Sequence, residues 1–181
     1  LCPALACLLA LLAGCSPAES NFGFSVTRVE CRFSGESLHV AVQQQLILSN
    51  EAKEALIHGV PLVFQTRVMV RARRSHEELQ QDNRVFEIRY LPLSERYQLS
   101  ASPPLEVHTF PRLRHALGEL TTVEFTFANL QMPPADMELR VRSQLDKRQT
   151  PPPMRLPVWF SAQWNHDSGW TSWPLGTGSG P

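Results

Sequence analysis

The sequence predicts a mainly β, α+β protein: an antiparallel β-sheet or sandwich of about seven or eight strands with one or two short helices. Three observations lead there. Period-2 alternation of apolar and polar residues runs through most of the chain. Only two stretches switch to helical spacing, and neither sits between strands in a regular βαβ rhythm, which argues against a parallel sheet. Proline is frequent, at 15, and seven of these cluster at Pro103-Pro104, Pro133-Pro134 and Pro151-Pro152-Pro153, punctuating a folded chain instead of forming one disordered tract.

Val29-Glu30-Cys31-Arg32-Phe33 sets apolar residues on one face and charges on the other. Leu38-His39-Val40-Ala41-Val42 repeats the pattern after Ser34-Gly35-Glu36-Ser37, so the pair reads as a hairpin. Leu62, Phe64, Thr66, Val68 and Val70 share one face of a long strand, with Gln65, Arg67 and Arg71 opposite. Such a strand is half exposed, as in an antiparallel sheet. The polar stretch from Arg71 to Arg84 reads as a solvent-facing loop or hairpin tip. Phe86, Ile88 and Tyr90 then alternate, Leu91 to Arg96 turns, and Tyr97 and Leu99 return. Val123, Phe125 and Phe127 alternate again. The clearest strand is Met137 to Leu145, where every second residue is apolar or small and every other one charged or amide.

The first helix is expected over Asn50 to Gly59. Ser49 or Asn50 caps it, its first turn is acidic, His58 sits in its last turn, Gly59 terminates it and Pro61 prevents continuation. The second is expected from Pro111 to about Leu120, with Thr109 as cap and Phe110, Leu113, Leu117 and Leu120 at helical spacing. Gly118 weakens it by about 1 kcal/mol.

Ahead of these elements, Ala4 to Gly14 is almost wholly leucine and alanine. The run has the length of a signal-peptide core and falls short of the ~20 residues that span a membrane. It ends in Leu12-Ala13-Gly14-Cys15, which resembles the lipobox of bacterial lipoproteins. In those proteins a peptidase cuts before the cysteine, whose sulfur takes a diacylglycerol. Ser16 after the cysteine resembles the pattern sorted to the outer membrane. The chain opens on Leu1 without a positive n-region, as expected where the start has been lost; an ordinary secretory signal is the alternative. The expected organisation is a signal peptide over 1–14, a lipidated N-terminus and linker over 15–22, one β-rich domain over 23–175 and a disordered tail over 176–181.

Lys+Arg and Asp+Glu both number 17, so no basic excess points to nucleic acid and no acidic excess to a solvating tail. Of four cysteines, Cys2 and Cys7 leave with the signal, Cys15 is the lipidation site, and Cys31 remains alone in an alternating strand as a buried thiol. No metal-binding spacing and no cofactor motif occurs. Among six histidines, His108 and His115 are seven apart, a poor metal pair, and His166 with Asp167 is the one candidate base and orienter. Neighbours on an extended chain point to opposite faces, so that pair is badly arranged for catalysis. Ser168 lacks a nucleophile-elbow context. No enzyme activity is expected.

All four tryptophans lie near the C-terminus, at Trp159, Trp164, Trp170 and Trp173. Trp164, Trp170 and Trp173 are candidate binding residues, since clustered indoles stack on glycan rings or anchor a protein partner. An arm folding over the sheet explains them as well, with Ser168-Gly169 as a turn placing Trp164 opposite Trp170 or Trp173. The basic stretch Arg67, Arg71, Arg73 and Arg74 suits anionic head groups or lipopolysaccharide, with Arg71, Arg73 and Arg74 as the candidate binding residues, or else it is a solvated edge that discourages strand pairing.

Leu48-Ser49-Asn50-Glu51-Ala52-Lys53-Glu54-Ala55-Leu56-Ile57-His58-Gly59-Val60-Pro61-Leu62 and the following strand resemble the bacterial family called domain of unknown function 4390. So do Arg140-Val141-Arg142-Ser143-Gln144-Leu145-Asp146, Leu156-Pro157, Ser161-Ala162-Gln163-Trp164, Ser168-Gly169-Trp170 and Trp173-Pro174-Leu175. The resemblance spans roughly Phe24 to Leu175. It implies an exported proteobacterial protein with no assigned activity, encoded in many cases beside a membrane sensor kinase pair. The expected protein is therefore a periplasmic lipoprotein at the outer membrane, a binding or accessory module for an envelope component such as a sensor kinase. The alternative is a soluble periplasmic binder of a small ligand or glycan.

Overall fold

In a computed structural model of the chain, residues 22–102, 106–130, 133–149 and 161–175 are described. The signal over 1–14, the Cys15 site, Trp159 and the tail over 176–181 lie outside them. Within the described residues the strands are β1 (Gly23–Ser34), β2 (Ser37–Ile47), β3 (Leu62–Ala72), β4 (Glu78–Leu91), β5 (Arg96–Ser102), β6 (Glu106–Phe110), β7 (Thr122–Phe127), β8 (Met137–Leu145) and β9 (Thr171–Pro174). Helix α1 (Asn50–Ile57) joins β2 to β3, and α2 (Leu113–Glu119) joins β6 to β7.

Two antiparallel sheets result, a three-stranded one in the order β1-β2-β7 and a six-stranded one in the order β6-β5-β4-β3-β8-β9. The alternation explains their packing. Leu38, Val40 and Val42 of β2 and Val123, Phe125 and Phe127 of β7 share a core with Val68 and Val70 of β3 and Met137, Leu139 and Val141 of β8. All are buried, each side chain contributing about 1.5–3 kcal/mol. A second core forms where the helices sit, from Leu46, Leu56, Leu62, Phe64, Ile88, Leu120 and Trp164 among others. Buried Gln44 between them is satisfied: its amide donates to the Leu120 carbonyl at 2.7 Å and its Oε1 accepts from Thr66 Oγ1 at 3.2 Å.

Helix α1 starts where Ser49, with extended backbone, accepts the Ala52 N–H on its Oγ at 3.2 Å. It stops at Gly59, whose φ of 90° suits glycine. The second helix departs from expectation. It begins at Leu113, after Pro111, and its N-cap position is Arg112, which makes no side-chain capping bond. Thr109 lies inside β6. That strand is exposed at four consecutive residues and meets the core only through Phe110 at its end, so alternation carried no signal for it. Of the two readings for Arg71 to Arg84 the structure has the hairpin tip, and most of the stretch is strand: β3 runs to Ala72 and β4 begins at Glu78, leaving a turn with His76 at φ 59°. Backbone pairing across a hairpin needs no apolar residues, and this part of β4 is an extension beyond the core.

Among the described residues no helix is long and apolar enough to cross a membrane.

Candidate functional site

The face of the six-stranded sheet turned away from the core is set by strand register. Arg67 pairs with Arg142, Met69 with Arg140, and Arg71 with Glu138 across β3 and β8. Directly opposed residues project on one side of a sheet. Val68 and Val141 occupy the other side, so four guanidiniums share the wet face.

Two are neutralised. Arg71 Nε donates to Glu138 Oε1. Arg142 makes a two-pronged pair with Asp167, Nε donating to Oδ1 at 3.0 Å and Nη2 to Oδ2. The Asp167 carboxylate also accepts the Gly169 N–H at 2.9 Å. The hydrogen bond from Arg142 holds the Asp167 pKa below its ordinary value, against the opposing effect of burial. The Arg140 guanidinium carbon sits 5.2 Å from the centre of the Trp170 ring. Arg140 Nε is buried with no hydrogen-bond partner. Arg67 faces Arg142 and, among the described residues, has no counter-ion.

The structure separates the candidates read from sequence. Arg71 lies on the sheet face, whereas Arg73 and Arg74 sit exposed in the turn beyond β3. Arg73 is fastened there by its backbone N–H, which donates to the Asp136 carbonyl at 2.8 Å. The three indoles likewise have different surroundings. Trp164 belongs to a 3-10 turn, Ala162–Trp164, and is 3 % exposed in the core beside α1. It does not face Trp170 or Trp173 across a hairpin, because the chain between is pinned strand-like to β8 at Gln144–Asp167. Trp173 packs partly against the sandwich core and donates from Nε1 to Thr171 Oγ1 at 3.1 Å. Trp170 remains half exposed under Arg140.

His166 and Asp167 diverge, as their adjacency on an extended chain requires. His166 is 1 % exposed. Its Nε2 accepts the Ser49 backbone N–H at 2.9 Å, which places the ring proton on Nδ1. Nδ1 itself is buried without a hydrogen-bond partner. Burial lowers the His166 pKa to about 4; the Trp164 backbone opposes this and the Lys147 charge adds to it. Phe22 and Phe24 each stand 5.3 Å from the imidazole, ring centre to ring centre. This histidine therefore joins the start of β1, the cap of α1 and the C-terminal arm.

A groove of about 890 Å³ crosses the three-stranded sheet, lined by Arg28, Arg32, His39, Glu124 and Thr126 among others. Arg28 pairs with Glu30 at 3.2 Å, and His39 Nδ1 lies 3.3 Å from Thr126 Oγ1. Cys31 beside it is partly buried, and burial pushes its thiol up to about 11. No cluster of three metal-ligating side chains occurs among the described residues.

Arg140 and Arg142 are the residues that sequence reading did not select as a site, and Arg67 was grouped there with Arg71, Arg73 and Arg74 instead of with them. Their signal was present as cations on the wet parity of two strands, but only the pairing of β3 with β8 brings them together. A family model described as Domain of unknown function (DUF4390) matches residues 22–174. No curated protein and no solved structure matches the chain.

Proposed function

The chain belongs to the DUF4390 family, and because that membership assigns no activity, we propose from chemistry and geometry that it is a non-enzymatic cell-envelope protein. It is tethered by lipid at Cys15 to the periplasmic side of the outer membrane, and its β-sandwich binds another envelope component, with a membrane sensor kinase as the partner to test. The carrying observation is where the tether meets the fold. Phe22 and Phe24 are seated on His166, and Phe24 also stacks on Phe64 with ring centres 5.7 Å apart. From Cys15 to Phe22 the extended chain reaches about 25 Å, so a lipidated cysteine would hold this end of the sandwich close to the bilayer.

That end carries apolar side chains in the open. Gly23 pairs with Ile47, so β1 starts where β2 ends and α1 begins. Leu62 pairs with Ile88, which brings the exit of α1 to the β4–β5 hairpin. Ile47, Ile57 and Leu93, the last fully exposed at the hairpin tip, are all exposed there. Apolar prongs beside a tether suit a lipid surface. The non-enzymatic reading is supported by the state of the one candidate acid–base pair: His166 is sealed in the core and Asp167 is engaged by Arg142. The alternative, a soluble periplasmic glycan binder using Trp164, Trp170 and Trp173, has thinner support, because the first of these indoles is core.

The test is the intact mass of the protein made from its complete gene and extracted from membranes. A chain starting at Cys15 with added acyl mass supports the tether. An unmodified soluble chain cut elsewhere overturns it. Crosslinking in intact envelopes, followed by capture, tests the partner; recovery of no specific protein would count against a binding role.

A further inference from the structure

We propose that Arg67, Arg140 and Arg142, on the outer face of the β3–β8 ladder, form a binding site for a phosphate group. The site stands on geometry independent of lipidation at Cys15. Like charges directly opposite each other on a sheet destabilise it, yet Arg67 and Arg142 are such a pair. One carboxylate, Asp167, serves Arg142, and Arg67 has none among the described residues. Diagonal to Arg67, at a spacing of roughly 7–8 Å between backbones, Arg140 keeps a buried Nε–H with no acceptor. A buried donor left unpaired is a standing cost, so the Arg140 side chain is held at this place against a local penalty.

The cations are also held in place before any ligand arrives. Asp167 clamps the Arg142 guanidinium from one side, and Trp170 lies against that of Arg140. Pre-ordered guanidiniums lose little entropy on binding, and they donate charge-assisted hydrogen bonds to tetrahedral oxyanions. On the other flank of Arg67, Asn83 of β4 stands directly opposite, with a buried side-chain carbonyl that has no donor. A tetrahedral anion offers several acceptor oxygens to guanidiniums that project from two strands, and inorganic phosphate and phosphate esters have that chemistry.

The phosphate could be free or part of a lipid head group, and two probes separate the sources. The mature full-length protein is titrated with inorganic phosphate and with glycerol 1-phosphate at constant ionic strength, reading tryptophan fluorescence and calorimetric heat. Saturable binding is expected, weakened about tenfold or more by Arg67→Gln and by Arg140→Gln, and unchanged by Arg74→Gln. Preference for glycerol 1-phosphate assigns a lipid head group; preference for inorganic phosphate assigns a free anion. A folding control comes from melting: without phosphate, Arg67→Gln should melt at or above the parent temperature because it relieves repulsion, and phosphate should raise the melting temperature of the parent and of Arg74→Gln more than that of Arg67→Gln. Non-saturable binding, or equal loss in Arg74→Gln, overturns the proposal.

Discussion

Ser49 and His166, 117 positions apart, are joined by one buried hydrogen bond, the Ser49 backbone N–H donating to His166 Nε2 at 2.9 Å. The N–H concerned belongs to the capping residue of α1, whose side chain is already occupied with Ala52. The imidazole thus acts as an acceptor from a distant part of the chain, supporting the entry to α1 while Phe22 and Phe24 pack against its ring.

Replacing that ring separates its hydrogen bond from its volume. His166→Phe keeps bulk but leaves the Ser49 N–H without an acceptor, an expected loss of about 1–3 kcal/mol. His166→Ala adds a cavity, for about 2–5 kcal/mol in total. Urea denaturation checks both. Two variants within experimental error of the parent would show that the contact does not support the fold.

Acid should weaken the protein through the same residue. The folded His166 titrates at about 4 against 6.5 for an ordinary histidine. Between those values the unfolded chain holds the extra proton, so stability falls as pH drops from about 6.5 and this contribution levels out below about 4. The loss amounts to at most roughly 3 kcal/mol. Melting temperatures from pH 7 to pH 4 should decline in the parent, with a shallower decline in His166→Phe. Asp167, whose pKa is depressed below 3.8, stabilises above that value and is lost only in stronger acid, so the two effects are separable.

The Arg142–Asp167 pair is two-pronged but about a third exposed on the Arg side, so water screens it. A double-mutant cycle with Arg142→Gln and Asp167→Asn should return a coupling of about 1 kcal/mol. A coupling of zero would mean that the carboxylate is held in place by the Gly169 N–H alone.

Cys31, with its thiol pushed up to about 11 by burial, should resist alkylation near pH 8. Its thiolate fraction there is roughly 100-fold below that of a free cysteine. Peptide mass mapping of iodoacetamide-treated protein, folded and in urea, measures the ratio at this residue. Equal rates in the two states would show that β1 opens readily.

How much of this was legible in the chain follows from the range of the forces involved. The β1–β2 hairpin, β3, β5, β7 and β8 were readable because apolar and polar residues alternate along each of them, and α1 because its cap and its terminating glycine are local. Exposed β6 and four-residue β9 left no such trace. For the candidate site, sequence supplied cations at alternate positions of two strands but not their company. Neighbouring Arg71, Arg73 and Arg74 looked like a cluster and separate at the end of β3. Arg67 and Arg142, 75 positions apart by numbering (142 − 67), become neighbours.

The sequence by itself determined the two faces of the alternating strands, where the helix near residue 50 starts, and the apolar run that precedes Cys15, because periodicity and capping act over a few residues. Only the tertiary structure decided that β8 lies beside β3, that Trp164 enters the core and that His166 receives the Ser49 N–H. The physical reason is register: burying Val68 and Val70 against Leu139 and Val141 on one face fixes which charges meet on the other, and no local rule specifies that match.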